Sequence, residues 1–166
     1  MLRTSFRSFT ALLAFTVIVA SCSSSKNAVS VPAREDIKGN WTLDKVGLEG
    51  ISAGEKVKLN LLDEGPEACL EGSSWVLPNN GYGSYTINSS AGGCVGGQKD
   101  IIWSYKKESG VGVFQFKKLI GGVPAKDVAD GYRFTILSAT GSTFTLQSEV
   151  TYAGSPIKII YNFSKK

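Results

Sequence analysis

The stretch STFTLQSEVTY, residues 142–152, decides how the rest of the chain is read. Phe144, Leu146, Ser148, Val150 and Tyr152 fall on one face of an extended chain, and Thr143, Thr145, Gln147, Glu149 and Thr151 fall on the other. A period of two sustained over this length marks a β-strand with one buried face. The same alternation places Ile157, Ile159, Tyr161 and Phe163 opposite Lys158, Ile160, Asn162 and Ser164, and Tyr132, Phe134 and Ile136 opposite Arg133, Thr135 and Leu137. Earlier strands are expected at Asn40–Val46, Lys56–Leu62, Ser74–Leu77, Gly83–Asn88, Asp100–Lys107 and Val111–Leu119.

The connections between these segments are short. Glu108-Ser109-Gly110, Ala139-Thr140-Gly141 and Ala153-Gly154-Ser155 read as hairpin turns, each holding a glycine able to take a positive φ. Asp63–Ser73 and Gly121–Asp130 read as longer loops, the second with Pro124 placed to start a helical turn. Consecutive strands joined by tight turns form a meander, and the edges of a meander this long need covering. The expected fold is therefore all-β, an up-and-down antiparallel barrel of about eight strands. A two-sheet sandwich is the competing arrangement.

The chain has 166 residues with 42% hydrophobic and 19% charged content, enough for one domain with a substantial core. Its net charge of +4 is unevenly placed. Residues 1–21 carry Arg3 and Arg7 and no acid, so the remainder holds 16 basic against 14 acidic residues. That near balance is too weak to argue for binding to nucleic acid or to anionic lipid, and no nucleic-acid partner is expected. There is no histidine, which removes the usual near-neutral general base and a common metal ligand. No serine or threonine sits in a nucleophile-elbow pattern. The acids Asp63, Glu64, Glu67 and Glu71 lack calcium-loop spacing and read as a solvated loop, with a helical turn as an alternative form for it. Lys106-Lys107 and Lys117-Lys118 read as charges on strand edges that discourage sheet association. No catalytic residues, cofactor or metal are expected.

The N-terminus reads as an address. Arg3 and Arg7 precede Phe9–Ala20, which is apolar apart from Thr10 and Thr16. At about 12 residues this run suits a secretory signal and is too short to span a bilayer. Val19-Ala20-Ser21-Cys22 then resembles a bacterial lipoprotein signal. The resemblance implies cleavage before Cys22 and acylation of its thiol and new amine, palmitate being such an acyl chain. Residues 1–21 would be the signal, and residues 22–36, rich in small polar side chains, a flexible tether. Ser23 resembles the outer-membrane sorting position, so the expected location is the outer membrane, facing the periplasm. With Cys22 acylated, Cys69 and Cys94 are left as a pair. An envelope compartment permits a disulfide between them. A metal site would want further cysteine or histidine, and a redox pair would more often show closer spacing.

Gly39-Asn40-Trp41 precedes the first strand in the manner of the first lipocalin motif, whose tryptophan closes the barrel base. The order Cys69-Leu70-Glu71-Gly72-Ser73-Ser74-Trp75, Gly83-Ser84-Tyr85-Thr86-Ile87, Cys94, Ile102-Trp103 and Phe114-Gln115-Phe116 resembles lipocalin-like lipoproteins of Gram-negative envelopes. The likeness spans roughly residues 37–164, and the barrel domain is expected over 37–166. It implies a barrel that holds a small hydrophobic ligand, with Gly39 and Trp41 at the base and Arg133 the candidate to stack on that tryptophan. The lining would come from Trp103, Phe114, Phe116, Tyr132, Phe134, Phe144, Leu146, Tyr152, Ile159 and Tyr161. The same ten side chains are bulky enough to fill the barrel instead. In that case the domain is a structural scaffold whose contacts with other envelope proteins fall on its loops, and Trp75, Leu77 and Tyr82 are the expected exposed contacts.

Overall fold

The computed structural model describes residues 31–52, 54–55, 57–129 and 131–166. The signal segment and Cys22 lie outside the described residues. Eight antiparallel strands follow in sequence: β1 Gly39–Glu49, β2 Ser74–Leu77, β3 Tyr82–Ile87, β4 Gly97–Glu108, β5 Val111–Lys118, β6 Tyr132–Ala139, β7 Thr143–Tyr152 and β8 Ser155–Lys165. Each pairs with the next, and β1 also pairs with β8, so the sheet closes into an up-and-down barrel. Two of the connections are two-residue turns with both residues at positive φ, Ser109-Gly110 and Ala153-Gly154. That geometry matches the twist of the flanking strands. A bulge at Asp44 lets β1 bend, so Trp41 and Leu43 before it and Val46 after it all stay buried.

Segments outside the sheet cover both ends of the barrel. At the lower end the chain turns through one helical turn, α1 Arg34–Ile37. Ile37 is fully buried, its carbonyl accepts a hydrogen bond from Trp41 Nε1 at 2.8 Å, and the Pro32 carbonyl accepts one from Tyr105 Oη at 2.6 Å. The end of the expected tether is thus part of the packed domain.

At the upper end the long β1–β2 connection folds over the mouth. It carries a second helical turn, α2 Glu67–Leu70, and buries Val57, Leu61, Leu62 and Leu70. The strand expected over Lys56–Leu62 does not form; among its described residues only Leu61 makes a bridge, to Gly65. The alternating apolar residues there face the barrel mouth without entering the sheet. Cys69 and Cys94 are disulfide-bonded, with Cα atoms 5.3 Å apart, which ties this cover to the β3–β4 loop.

Replacing Cys69 and Cys94 together by serine should lower unfolding free energy by about 3 kcal/mol, the loop-closure value for a cross-link of this span. Urea unfolding measures it, and an unshifted midpoint would show that the cross-link does not restrain the cover.

Candidate functional site

The barrel interior is built by the inward positions of all eight strands, and aromatic rings occupy much of it. Trp75 on β2 lies 5.6 Å from Phe116 on β5 and 5.6 Å from Phe163 on β8. Phe114, Phe116 and Phe134 are mutually within 6.0 Å. Phe134 reaches Tyr161 at 5.3 Å, and Phe144 stacks on Phe163 at 4.2 Å while meeting Trp41 edge-on. Contacts such as Trp75–Phe116 run across the barrel rather than along its wall. Of the ten residues expected to line a ligand space, eight are buried in this packing; Tyr132 and Tyr152 are half-buried nearer the upper mouth.

A carboxylate is buried in the upper mouth. Glu64 is fully buried, although it sits in the acid-rich loop expected to be solvated. Its Oε1 accepts hydrogen bonds from Tyr85 Oη at 2.7 Å and from Lys118 Nζ at 2.7 Å. Lys118 also donates to the Leu62 carbonyl, and Lys99 Nζ lies 4.0 Å from Oε2. Oε2 has no hydrogen-bond partner among the described residues. The Glu64 backbone carbonyl accepts from Val95 N at 2.9 Å. Beside it Tyr132 Oη donates to Asp63 Oδ2, and Glu71 Oε1 accepts from Val46 N at 3.0 Å. Burial, reinforced by the hydrogen bond and charge of Glu64, pushes the Tyr85 hydroxyl far above its ordinary pKa. Burial likewise raises Tyr161, against a smaller opposing effect of its Ser148 contact.

Among the spaces adjoining the barrel, two are lined in part by residues expected to hold a ligand. A cleft of about 250 Å³ opens at the upper mouth between residues 60–63 and β6–β8, with Phe134, Val150, Ile159 and Tyr161 on its barrel side. It falls below the roughly 300–1,000 Å³ of typical small-molecule pockets. A groove of about 650 Å³ lies on the outer wall, where the β5–β6 loop hangs over β4–β6. Ile102, Ser104, Gln115, Lys117 and Arg133 form its wall, and Ala125, Lys126 and Ala129 its roof.

Several expectations are corrected. Trp75 and Leu77 are buried at 3% and 0% exposure, because β2 points them into the barrel; Tyr82 alone of that trio is exposed. Arg133 points outward and pairs with Glu108, holding that carboxyl below its usual range. The cation over the Trp41 ring is Lys165, at 5.6 Å, and Arg34 of α1 lies 4.5 Å over the Trp103 ring. Lys117 and Lys118 guard no edge in a closed barrel. Lys118 turns to Glu64, and Lys117 Nζ donates to the Val128 carbonyl at 2.7 Å. Gly39 and Trp41 do sit at the lower end of β1, with Trp41 fully buried. The sequence reading missed Glu64, Tyr85 and Lys118 as a group.

No described protein family, curated protein or solved structure matches this chain.

Glu64→Ala should cost about 3–5 kcal/mol, since it strips the counter-charge from a half-buried lysine and unpairs a buried phenol. Urea unfolding checks it, and a loss below about 1 kcal/mol would mean the pair behaves as a surface one. The two raised tyrosines set a second expectation. In the unfolded chain a tyrosine ionises near pH 10, whereas the fold keeps Tyr85 and Tyr161 protonated above that. Their contribution is therefore fully present below about pH 10 and lost as pH rises further. Urea midpoints across the alkaline range should fall from there, with a shallower fall in Tyr85→Phe, and a parallel fall in that variant would contradict the assignment.

Proposed function

We propose that this chain is an envelope lipoprotein, tethered through Cys22 to the outer membrane and facing the periplasm, whose barrel is a solid, non-catalytic scaffold acting through its outer surface. The observation that carries the reading is the aromatic packing of the interior, in which Trp75 meets Phe116 across the barrel and also Phe163, while Phe134 meets Tyr161. Those contacts take the volume in which a barrel of this size would hold a ligand. The covers at both ends support the same reading, because among the described residues the cleft at the upper mouth holds about 250 Å³, below the roughly 300–1,000 Å³ of typical small-molecule pockets. The tether rests on Val19-Ala20-Ser21-Cys22 and the signal-like run before it.

A second reading keeps the small apolar ligand that the resemblance implies and moves it outside the barrel. The 650 Å³ groove under the β5–β6 loop is of suitable size, and Ile102, Ala125 and Ala129 give it apolar surface.

Native mass spectrometry of the protein purified from its host separates the two. The scaffold reading expects the mass of the acylated polypeptide with nothing else bound. A stoichiometric non-covalent lipid would overturn it in favour of the ligand reading. For the tether, intact mass should show acyl chains on a chain beginning at Cys22. An unmodified Cys22 would sink the lipoprotein assignment.

A further inference from the structure

The β5–β6 connection ends one strand with Lys117-Lys118 and then runs Leu119-Ile120-Gly121-Gly122-Val123-Pro124-Ala125 before Lys126. Seven uncharged residues in a loop would be expected to fold onto the barrel beside them. They do not all do so. Ile120 is 57% exposed and Val123 is 38% exposed. The other large exposed apolar residues, such as Tyr82, Val95 and Leu137, each sit on a separate strand or loop.

The exposure is built into a defined turn. Val123 N donates to the Ile120 carbonyl at 3.0 Å, with Gly122 at φ +79° in the third position, the geometry of a turn that needs glycine there. Such a turn brings its first and last residues together, so Ile120 and Val123 flank the Gly121-Gly122 tip from either side. The base of the loop is fixed as well. Leu119 N donates to the Asp100 carbonyl at 2.7 Å, Asp127 N to the Pro124 carbonyl at 2.9 Å, and Lys117 holds the Val128 carbonyl. Val128 is buried. The loop is thus pinned at both sides of an apolar tip, and Lys126 stands exposed next to it.

We infer that this tip is a membrane-contacting wedge: Ile120 and Val123 enter the interfacial region of a bilayer, with Lys126 at the level of the lipid phosphates. Two aliphatic side chains on one turn with a neighbouring cation are the arrangement that interfacial insertion favours. Asp127 offsets part of the charge, so apolar burial is the main attraction. A single anchor of this kind binds weakly, and stable attachment needs a second signal. The inference deepens the tethered-scaffold reading, in which the second signal is the lipid on Cys22, but the loop geometry does not depend on that lipid. It also fixes an orientation. The N-terminal segment meets the barrel at the lower end, beside Tyr105, whereas the wedge springs from the upper end of β5. A tether alone would leave the lower end nearer the bilayer; the wedge brings down the β5–β6 side.

The test supplies its own tether. The chain from Ser23 onward contains every described element and the disulfide. An N-terminal hexahistidine tag would hold it on vesicles of phosphatidylethanolamine and phosphatidylglycerol doped with a nickel-chelating lipid. An environment-sensitive fluorophore is attached at Gly121→Cys, where a Cβ meets nothing within 4 Å and φ is not positive, or at Ser142→Cys near the lower end. Brominated acyl chains should quench the Gly121→Cys label roughly threefold or more over the Ser142→Cys label. Adding Ile120→Ser and Val123→Ser should bring it down to the Ser142 level. Equal quenching at both sites, or quenching that survives the double substitution, would overturn the inference; so would an unquenched label whose tip is instead protected by a protein. Because Cys22 is absent, failure here leaves the lipoprotein reading untouched.

Discussion

The closure of β1 on β8 is the constraint on which the rest of the structure depends. Joining the first and last strands removes both sheet edges, and it also sets the interior volume. Eight strands enclose a space just wide enough for side chains, and Trp75, Tyr85, Phe114, Phe116, Phe134 and Phe144 occupy it. Large rings on opposite walls meet because the barrel is this narrow. The ends then become the remaining openings, and the chain spends its N-terminal turn on one and the β1–β2 connection on the other.

Covering the upper mouth has an electrostatic consequence. The connection that packs Leu61, Leu62 and Leu70 inward also carries Glu64 beneath it. An isolated carboxylate there would be strongly destabilising. Tyr85, pointing inward from β3, and Lys118, at the end of β5, meet it from the wall. One interaction therefore joins three separate parts of the barrel. The disulfide joins the same cover to the β3–β4 loop. Replacing the carboxylate, the phenol and the lysine together by apolar groups of similar volume would leave the packing about as stable; what the ion pair adds is a fixed position for the cover.

The sheet was readable because alternation is a local signal. Phe144 to Tyr152 and Ile157 to Phe163 announce their buried faces without reference to any partner. The hairpins were readable for the same reason, since Ser109-Gly110 and Ala153-Gly154 carry their turn chemistry in two residues. The cover was not readable. Its alternating apolar residues around Val57, Leu59 and Leu61 satisfy a strand pattern equally well, and only the barrel mouth beneath them decides between the two. Glu64 was hidden by its neighbours. Asp63 and Glu67 make the loop look wet, while the lysine that permits its burial is 54 residues away. Trp75 and Leu77 were misplaced because β2 is only four residues long, too short for alternation to say which face is inward.

The lengths of the connections show where the fold leaves freedom. Four of them are turns of two to four residues. Of the three long ones, the β1–β2 connection is consumed as the upper cover and the β3–β4 loop is bound to it by Cys94. The β5–β6 connection closes neither end. It nonetheless has turns, buries Val128 and is pinned by Lys117. A loop that long with no part in closing the barrel is the kind of element on which function is commonly carried. This loop both roofs the groove of about 650 Å³ on the outer wall and bears a pair of exposed aliphatic residues. The packed core bears on the exposure of such a tip: Phe114, Phe116 and Phe134 fill the barrel behind the wall from which the loop springs.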